Sequence, residues 1–307
     1  MRRSNGMYKM KRGGGMGKLQ VLVTGATGQL GLEIIEMLQS RQMHEYVGVG
    51  RNELDITSMS EVKRVISTIK PDVIIHLAAY TQVDMAEQNS QAAYAVNAYG
   101  TRNIAVLAQN IGAKLLYVST DYVFNGEKGA AYDEFDSVSP ISIYGKSKAA
   151  GEAFVRELCL RHFIVRTSWL YGQHGNNFVK KILALSNDKE NISIVSDQIG
   201  SPTYTVDLCR FLLALIGTEK YGTYHMSNSG FCSWFEFAKA IIDLSGSTVN
   251  VHACQTDRQL YPAPRPIYSV LNHQGLILNG FEKPRMWQEA LNEFINGEKI
   301  DKEAGLI

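Results

Sequence analysis

No surplus of charge marks this chain. Its 31 Lys and Arg stand against 30 Asp and Glu, a net charge of +1, which leaves no field to draw in a phosphate backbone or an acidic membrane. Nucleic-acid binding by bulk charge is thereby excluded. Cysteines are few, four in 307 residues, and Cys159, Cys209, Cys232 and Cys254 stand too far apart for the paired spacing of a zinc site or a small disulfide framework. Reduced thiols in a cytoplasmic protein are the expectation. No apolar run approaches the roughly 18 residues of a membrane-spanning helix; Phe211 to Ile216 is short and follows Arg210. Only seven prolines occur, and three of them fall in Tyr261 to Pro266 (YPAPRP), a segment barred from regular helix or central strand. The start, Met1 to Gly17, is basic and Gly-rich without the apolar core of a secretion signal. It is expected to be a flexible leader or expression remnant outside the fold.

With 45% hydrophobic and 20% charged residues, the rest reads as a packed globular chain, and at roughly 150 residues per domain its length suggests two domains. From Leu19 onward, short β-rich runs alternate with segments of helical period. Strands are expected over Leu19 to Thr24, Tyr46 to Val49, Val73 to Ala78 and Leu115 to Ser119. Helices are expected over Gln29 to Ser40, Ser58 to Ile69, Gln91 to Ile111 and Lys148 to Leu160. Strands joined by helical crossovers make an α/β, doubly wound parallel sheet. Past Trp169 the rhythm breaks into loops, with a helix expected near Val206 to Ile216, so a smaller α/β C-terminal domain is the consequence.

Three motifs carry chemistry. Gly25, Gly28 and Gly31 stand where the first strand passes into the first helix, so the chain can turn tightly, admit a pyrophosphate to its backbone and present free N–H groups. Arg51 ends the second strand, where an Arg pairs with a 2′-phosphate and an acidic residue would take a free 2′-hydroxyl. Arg51 therefore points to NADP(H), with NAD(H) as the alternative. Tyr144 and Lys148, four apart, share a helix face, and a fixed cation beside a phenol stabilises the phenolate. Thr120 follows an apolar strand at the sheet's C-terminal edge, where a hydroxyl can bond a substrate carbonyl. His76, inside an apolar strand, reads as packing, and Trp234, Phe235 and Phe237 read as core. Arg265, between prolines, could pair with a nucleotide diphosphate. No His, Cys and carboxylate cluster has metal spacing.

In this order the glycine loop, the Thr120-Asp121 step and the Tyr144/Lys148 pair resemble the short-chain dehydrogenase/reductase superfamily in its extended, nucleotide-sugar-modifying branch. Within it the chain is most similar to the dTDP-4-dehydrorhamnose reductase family. The stretches that carry this are Asp55-Ile56-Thr57, Leu77 to Asp84, Val96-Asn97-Ala98, Ser119 to Gly126 (STDYVFNG), Arg166 to Trp169 and Asp197 to Thr203. The resemblance implies an NAD(P)-binding Rossmann domain over 18–170, completed by segments of about 201–230, and a mainly substrate-binding domain over 171–307. It implies that the cofactor is held by Gly25, Gly28, Gln29, Leu30, Gly31 and Arg51, by Asp55 and Ile56, by Ala78, Ala79 and Tyr80, and by Asn97, Tyr144 and Lys148. Thr120, Asp121 and Trp169 would face the nucleotide sugar, with Tyr144 as the catalytic acid assisted by Lys148 and Thr120.

The expected reaction is NADPH-dependent reduction of the C4 ketone of dTDP-4-dehydro-L-rhamnose, the last step toward dTDP-L-rhamnose for cell-surface polysaccharide. Related 4,6-dehydratases follow the Thr-Asp step with a Glu that serves elimination; here Tyr122 follows, which favours hydride transfer over dehydration. Two alternatives stay open at this point. One is a non-catalytic, NADP-binding regulatory subunit like that of methionine adenosyltransferase; the other is a reductase of a different nucleotide-linked 4-keto sugar. Some relatives hold a divalent ion at a subunit contact, and the sequence leaves both that ion and a homodimer open.

Overall fold

The computed structural model of the chain describes residues 8–9, 18–257 and 261–303. Its centre is a parallel sheet of β1 (Gln20–Thr24), β2 (Glu45–Val49), β3 (Val73–His76), β4 (Lys114–Thr120), β5 (His162–Thr167) and β6 (Gly222–His225), in the order β2-β1-β3-β4-β5-β6. Two of these strands, β5 and β6, extend the four read from the sequence. The chain leaves β1 toward β2 and returns on the other side to β3, so the strand order reverses at β1 and opens a crevice beyond the strands' C-terminal ends. Tyr8–Lys9 pair antiparallel with Val47 and Gly48 on the free edge of β2. This piece of the supposed leader therefore adds to the sheet; the remainder of Met1 to Gly17 lies outside the described residues.

The strand period of two sorts the core into layers. Val21 and Val23 of β1 pack with α1 (Gln29–Arg41) and with Leu208 and Leu212 of a later helix, Thr205–Ile216. Leu22, on the opposite face, packs with Val62 and Ile66 of α2 (Met59–Ile69), Ile104 and Ala108 of α3 (Thr101–Ile111), and Val155 of α4 (Ile143–Leu158). Each such fully buried aliphatic side chain contributes about 1.5–3 kcal/mol. A third cluster, around Tyr171, Val179, Phe237, Trp287 and Phe294, joins helices Phe178–Asp188, Trp234–Ser245 and Trp287–Glu303.

The helix expected over Gln91 to Ile111 is broken. It runs as Ser90–Tyr94, a π-helical turn Ala95–Gly100, and α3. Such π turns are frequent at functional sites, and this one carries Asn97.

Three histidines are sealed in the fold without charge. His76 is wholly buried between the Thr24 and Thr101 hydroxyls, at 2.7 and 3.0 Å, and burial pulls it down to about 3. His273 is pulled down to about 4 by burial, and His225 well below its ordinary range. The partners of His225 set its tautomer: the Tyr132 and Asn272 carbonyls can only accept, so Nδ1 carries the proton, and Arg166 donates to Nε2. Because these folded-state values lie below the unfolded one of about 6.5, their stabilisation is complete above pH 6.5 and is lost as pH falls toward 4. Chemical denaturation at about pH 7.5 and pH 5 should show a lower midpoint at pH 5; equal midpoints would mean that these histidines take up protons in the fold.

Candidate active site

At the crevice lies a cleft of about 960 Å³. Its floor is the turn from β1 into α1. Gly25 has φ +70°, and a Cβ there would lie 2.6 Å from the Ala78 backbone nitrogen; a Cβ on Gly31 would lie 2.2 Å from the Gly25 carbonyl oxygen. The first residue needs the left-handed region, the second needs the close approach of helix to turn. No side chain caps α1 at Gly28, so the first-turn N–H groups point outward without an intrahelical partner, as an anion requires. Gln29, whose buried Nε2 has no hydrogen-bond partner among the described residues, lines the same turn.

Arg51, Asp55 and Ile56 form the next wall, with Arg51 exposed at the end of β2. The Asp55 carboxylate accepts from the Thr57 hydroxyl and amide, which hold it below its usual range. Ala78, Ala79 and Tyr80 form the facing wall. Asn97 does not reach the cleft. It is wholly buried, and its amide group clamps the Tyr80 backbone (2.8 Å to N–H, 3.0 Å to C=O) and donates to Ser147 Oγ at 3.0 Å. Placed among the cofactor contacts by resemblance, Asn97 instead fixes the wall to α4 from behind.

Tyr144 and Lys148 enter the cleft from the first turns of α4, beside Thr120 at the end of β4. The helix start is firmly held: Ser142 Oγ accepts from the Gly145 amide at 3.1 Å, and Glu87 Oε1 accepts from the Ile143 amide at 2.7 Å. Burial pushes the Tyr144 phenol up to about 12, against a hydrogen bond with Thr120 that draws it down. This corrects the expectation of a phenol lowered by its lysine, because the Lys148 ammonium donates to the Val118 carbonyl at 2.7 Å and lies over the Tyr117 ring. Lys148 is itself drawn down to about 7 by burial. A phenol so shifted keeps its proton at neutral pH, which suits a proton donor.

Asp121 lies beside them, buried, accepting from Ser269 at 2.6 Å and Thr120 at 3.0 Å, and burial raises it to about 6. Tyr122 packs edge-on against Tyr144, ring centres 5.8 Å apart. Trp169 closes the far end. Its φ of +48° is a conformation bulky residues rarely adopt, and its ring stacks on Trp234 at 3.5 Å. Trp234, read as core from its helical spacing, lines the cleft, whereas Phe237 is core. His76, as expected, stays within the sheet.

Arg265 is placed differently from the expectation. Its guanidinium is committed to Asp84, with Nη1 at 3.1 Å and Nη2 at 2.6 Å, and it does not line the cleft. Sequence spacing could not show this partner, 181 residues away.

Known proteins resemble this chain over most of its length. A family model described as the RmlD substrate binding domain matches residues 19–300. The spore coat polysaccharide biosynthesis protein SpsK of Bacillus subtilis (strain 168) is 42% identical over 90% of this chain and 96% of its own. A dTDP-4-dehydrorhamnose reductase of Aggregatibacter actinomycetemcomitans is 39% identical over 89% and 97%. A crystal structure of dTDP-4-dehydrorhamnose reductase from Bacillus anthracis str. Ames, in complex with NADP, superposes with a TM-score of 0.89 at 50% identity, covering 91% of this chain and 99% of that one.

Proposed function

The chain belongs to the dTDP-4-dehydrorhamnose reductase family, and from that premise we propose that it uses NADPH to reduce the C4 ketone of dTDP-4-dehydro-L-rhamnose to the alcohol of dTDP-L-rhamnose. The observation that carries this reading is the convergence of Tyr144, Lys148 and Thr120 in one cleft with the glycine turn and Arg51. The residues present fit the cofactor: an uncapped helix start and the unpartnered Gln29 amide suit the pyrophosphate, and Arg51 suits a 2′-phosphate. When bound, the nicotinamide supplies the hydride.

The chain's own residues do the rest. Thr120 holds the ketone oxygen by hydrogen bonding, and Tyr144 gives that oxygen its proton as negative charge develops there. The Lys148 ammonium, fixed by the Val118 carbonyl, binds the cofactor ribose. Asp121 and the stacked Trp169 bind and orient the sugar. The pocket brings no Glu to the position after Asp121, so reduction proceeds without elimination. We assign the cofactor to residues 18–170 with about 201–230, and the nucleotide sugar mainly to 171–307; the joining of β6 to the sheet supports this division. The need for reduced nicotinamide cofactor supports a cytoplasmic location.

Deuterium carried on NADPD must appear at C4 of the recovered dTDP-rhamnose; deuterium elsewhere, or none, contradicts the reading. The choice of cofactor has its own test. Arg51→Ala removes one charge-assisted contact, worth about 1.5–3 kcal/mol, and should weaken NADPH by about 10- to 100-fold while leaving NADH unchanged. Titration of both cofactors by fluorescence decides it, and equal losses for the two would remove Arg51 from the 2′-phosphate.

A further inference from the structure

Behind the cleft lies a buried ion pair that the reaction, as described, does not use. Glu152 is wholly buried and Arg166 is 2% exposed. Arg166 Nε and Nη2 donate to the two Glu152 oxygens at 2.9 and 2.8 Å, and Arg156 donates to Oε2 at 3.1 Å. Neither Glu152 nor Arg166 lines the cleft. Burying such a pair gains little stability over apolar side chains of similar size, because desolvation cancels most of the attraction. Its position suggests what it is for: Glu152 stands four residues after Lys148 on α4, the spacing that puts two side chains on one helix face.

The charges around Lys148 define that purpose. On its own helix stand Tyr144 and Glu152. From β4 come the Tyr117 ring, 4.1 Å from the ammonium, and the Val118 carbonyl. From β3 comes His76, held neutral; from β5 comes Arg166, bonded to Glu152. Asp121, at the end of β4, acts on Tyr144 rather than on Lys148. Burial works against a charged Lys148, and among the described residues Glu152 is the carboxylate that works for it.

We propose that Glu152, clamped by Arg166, is a positioning residue of the reaction: its buried carboxylate, held one helical turn from Lys148, keeps that side chain an ammonium ion on the Val118 carbonyl. The inference rests on the role given to Lys148 above. The test is kcat/KM for NADPH-dependent reduction by the intact chain, followed from about pH 5 to about pH 9. Activity falls on the alkaline side as Lys148 gives up its proton. Glu152→Gln removes the negative charge that favours the ammonium and leaves the opposing charge of Arg166 uncompensated, so the alkaline limb moves to lower pH by about one unit or more. Glu152→Asp keeps the charge and restores the limb. Because Glu152→Gln leaves a buried guanidinium unpaired, the neutral double variant Glu152→Gln/Arg166→Met guards against failure to fold and shows a shift of the same sign.

A Glu152 that served only the fold would lower activity equally at every pH and leave the limb where it stands in the wild type, and that result overturns the proposal. NADPH affinity against pH, measured on the same preparations, reports on Lys148 without turnover. A wild-type chain that binds NADPH but reduces no keto sugar refutes the reductase reading, while the binding profiles of the variants still decide the role of Glu152.

Discussion

Tyr144→Phe should lower kcat by about 10³-fold, the middle of the range for loss of a positioned general acid. Affinity for NADPH and for the nucleotide sugar should stay close to wild type, because Phe keeps the edge-on packing against Tyr122 and removes only the phenolic oxygen. That oxygen is bonded to Thr120, so the substrate oxygen still finds the Thr120 hydroxyl but no proton donor. The split between kcat and binding is the decisive feature. A loss shared equally between kcat and affinity would mean that Tyr144 holds the ligand rather than protonating it. A loss below about tenfold would place proton donation elsewhere.

Gly25→Ala should remove NADPH binding altogether and lower the thermal midpoint, whereas Gly28→Ala should leave the fold close to wild type and weaken NADPH by about 10-fold or more. At Gly25 a new Cβ meets the Ala78 backbone at 2.6 and 2.8 Å and the Leu77 carbonyl carbon at 2.8 Å, in a residue with φ +70°. Neither neighbour can give way without parting β1 from the loop after β3, and those two segments form the floor and one wall of the cleft. At Gly28 the nearest contact is the Gly25 oxygen at 3.3 Å, without a positive φ. A shift of tenths of an ångström accommodates it, but the methyl group stands where a pyrophosphate would approach the backbone. Thermal melting and NADPH titration of both variants separate the two effects. If Gly28→Ala bound NADPH normally, the turn would not be the pyrophosphate cradle.

Much of this site was legible because its chemistry is local in the chain. The glycine turn needs residues three apart, and Tyr144 with Lys148 needs one helical turn; both spacings survive in the sequence without any knowledge of packing. The first four strands were legible for a related reason: buried on both faces, they appear as short apolar runs between turn signals. What was hidden depends on distance or on competing signals. Trp234 shares a helical face with Phe237, and periodicity alone assigns both to the core, although one of them walls the cleft. Asn97 lies in a π turn that helical spacing reads as ordinary helix, so its clamp on Tyr80 and Ser147 could not be derived. Arg265 finds Asp84 only through the fold, and a guanidinium between prolines gives no hint of a carboxylate so far along the chain. The four-residue β6 is too short to stand out from the loops around it.

The central claim is that one cleft binds NADPH and reduces a dTDP-linked 4-keto sugar with Tyr144 as the proton donor. Absorbance of NADPH, followed as the purified chain is mixed with dTDP-4-dehydro-L-rhamnose, tests it most directly. The account predicts consumption of one NADPH per molecule of dTDP-L-rhamnose formed, and almost none with Tyr144→Phe. Binding of NADPH without its oxidation by this or any other dTDP-linked keto sugar would contradict it, and would leave the cleft a cofactor site without a reaction.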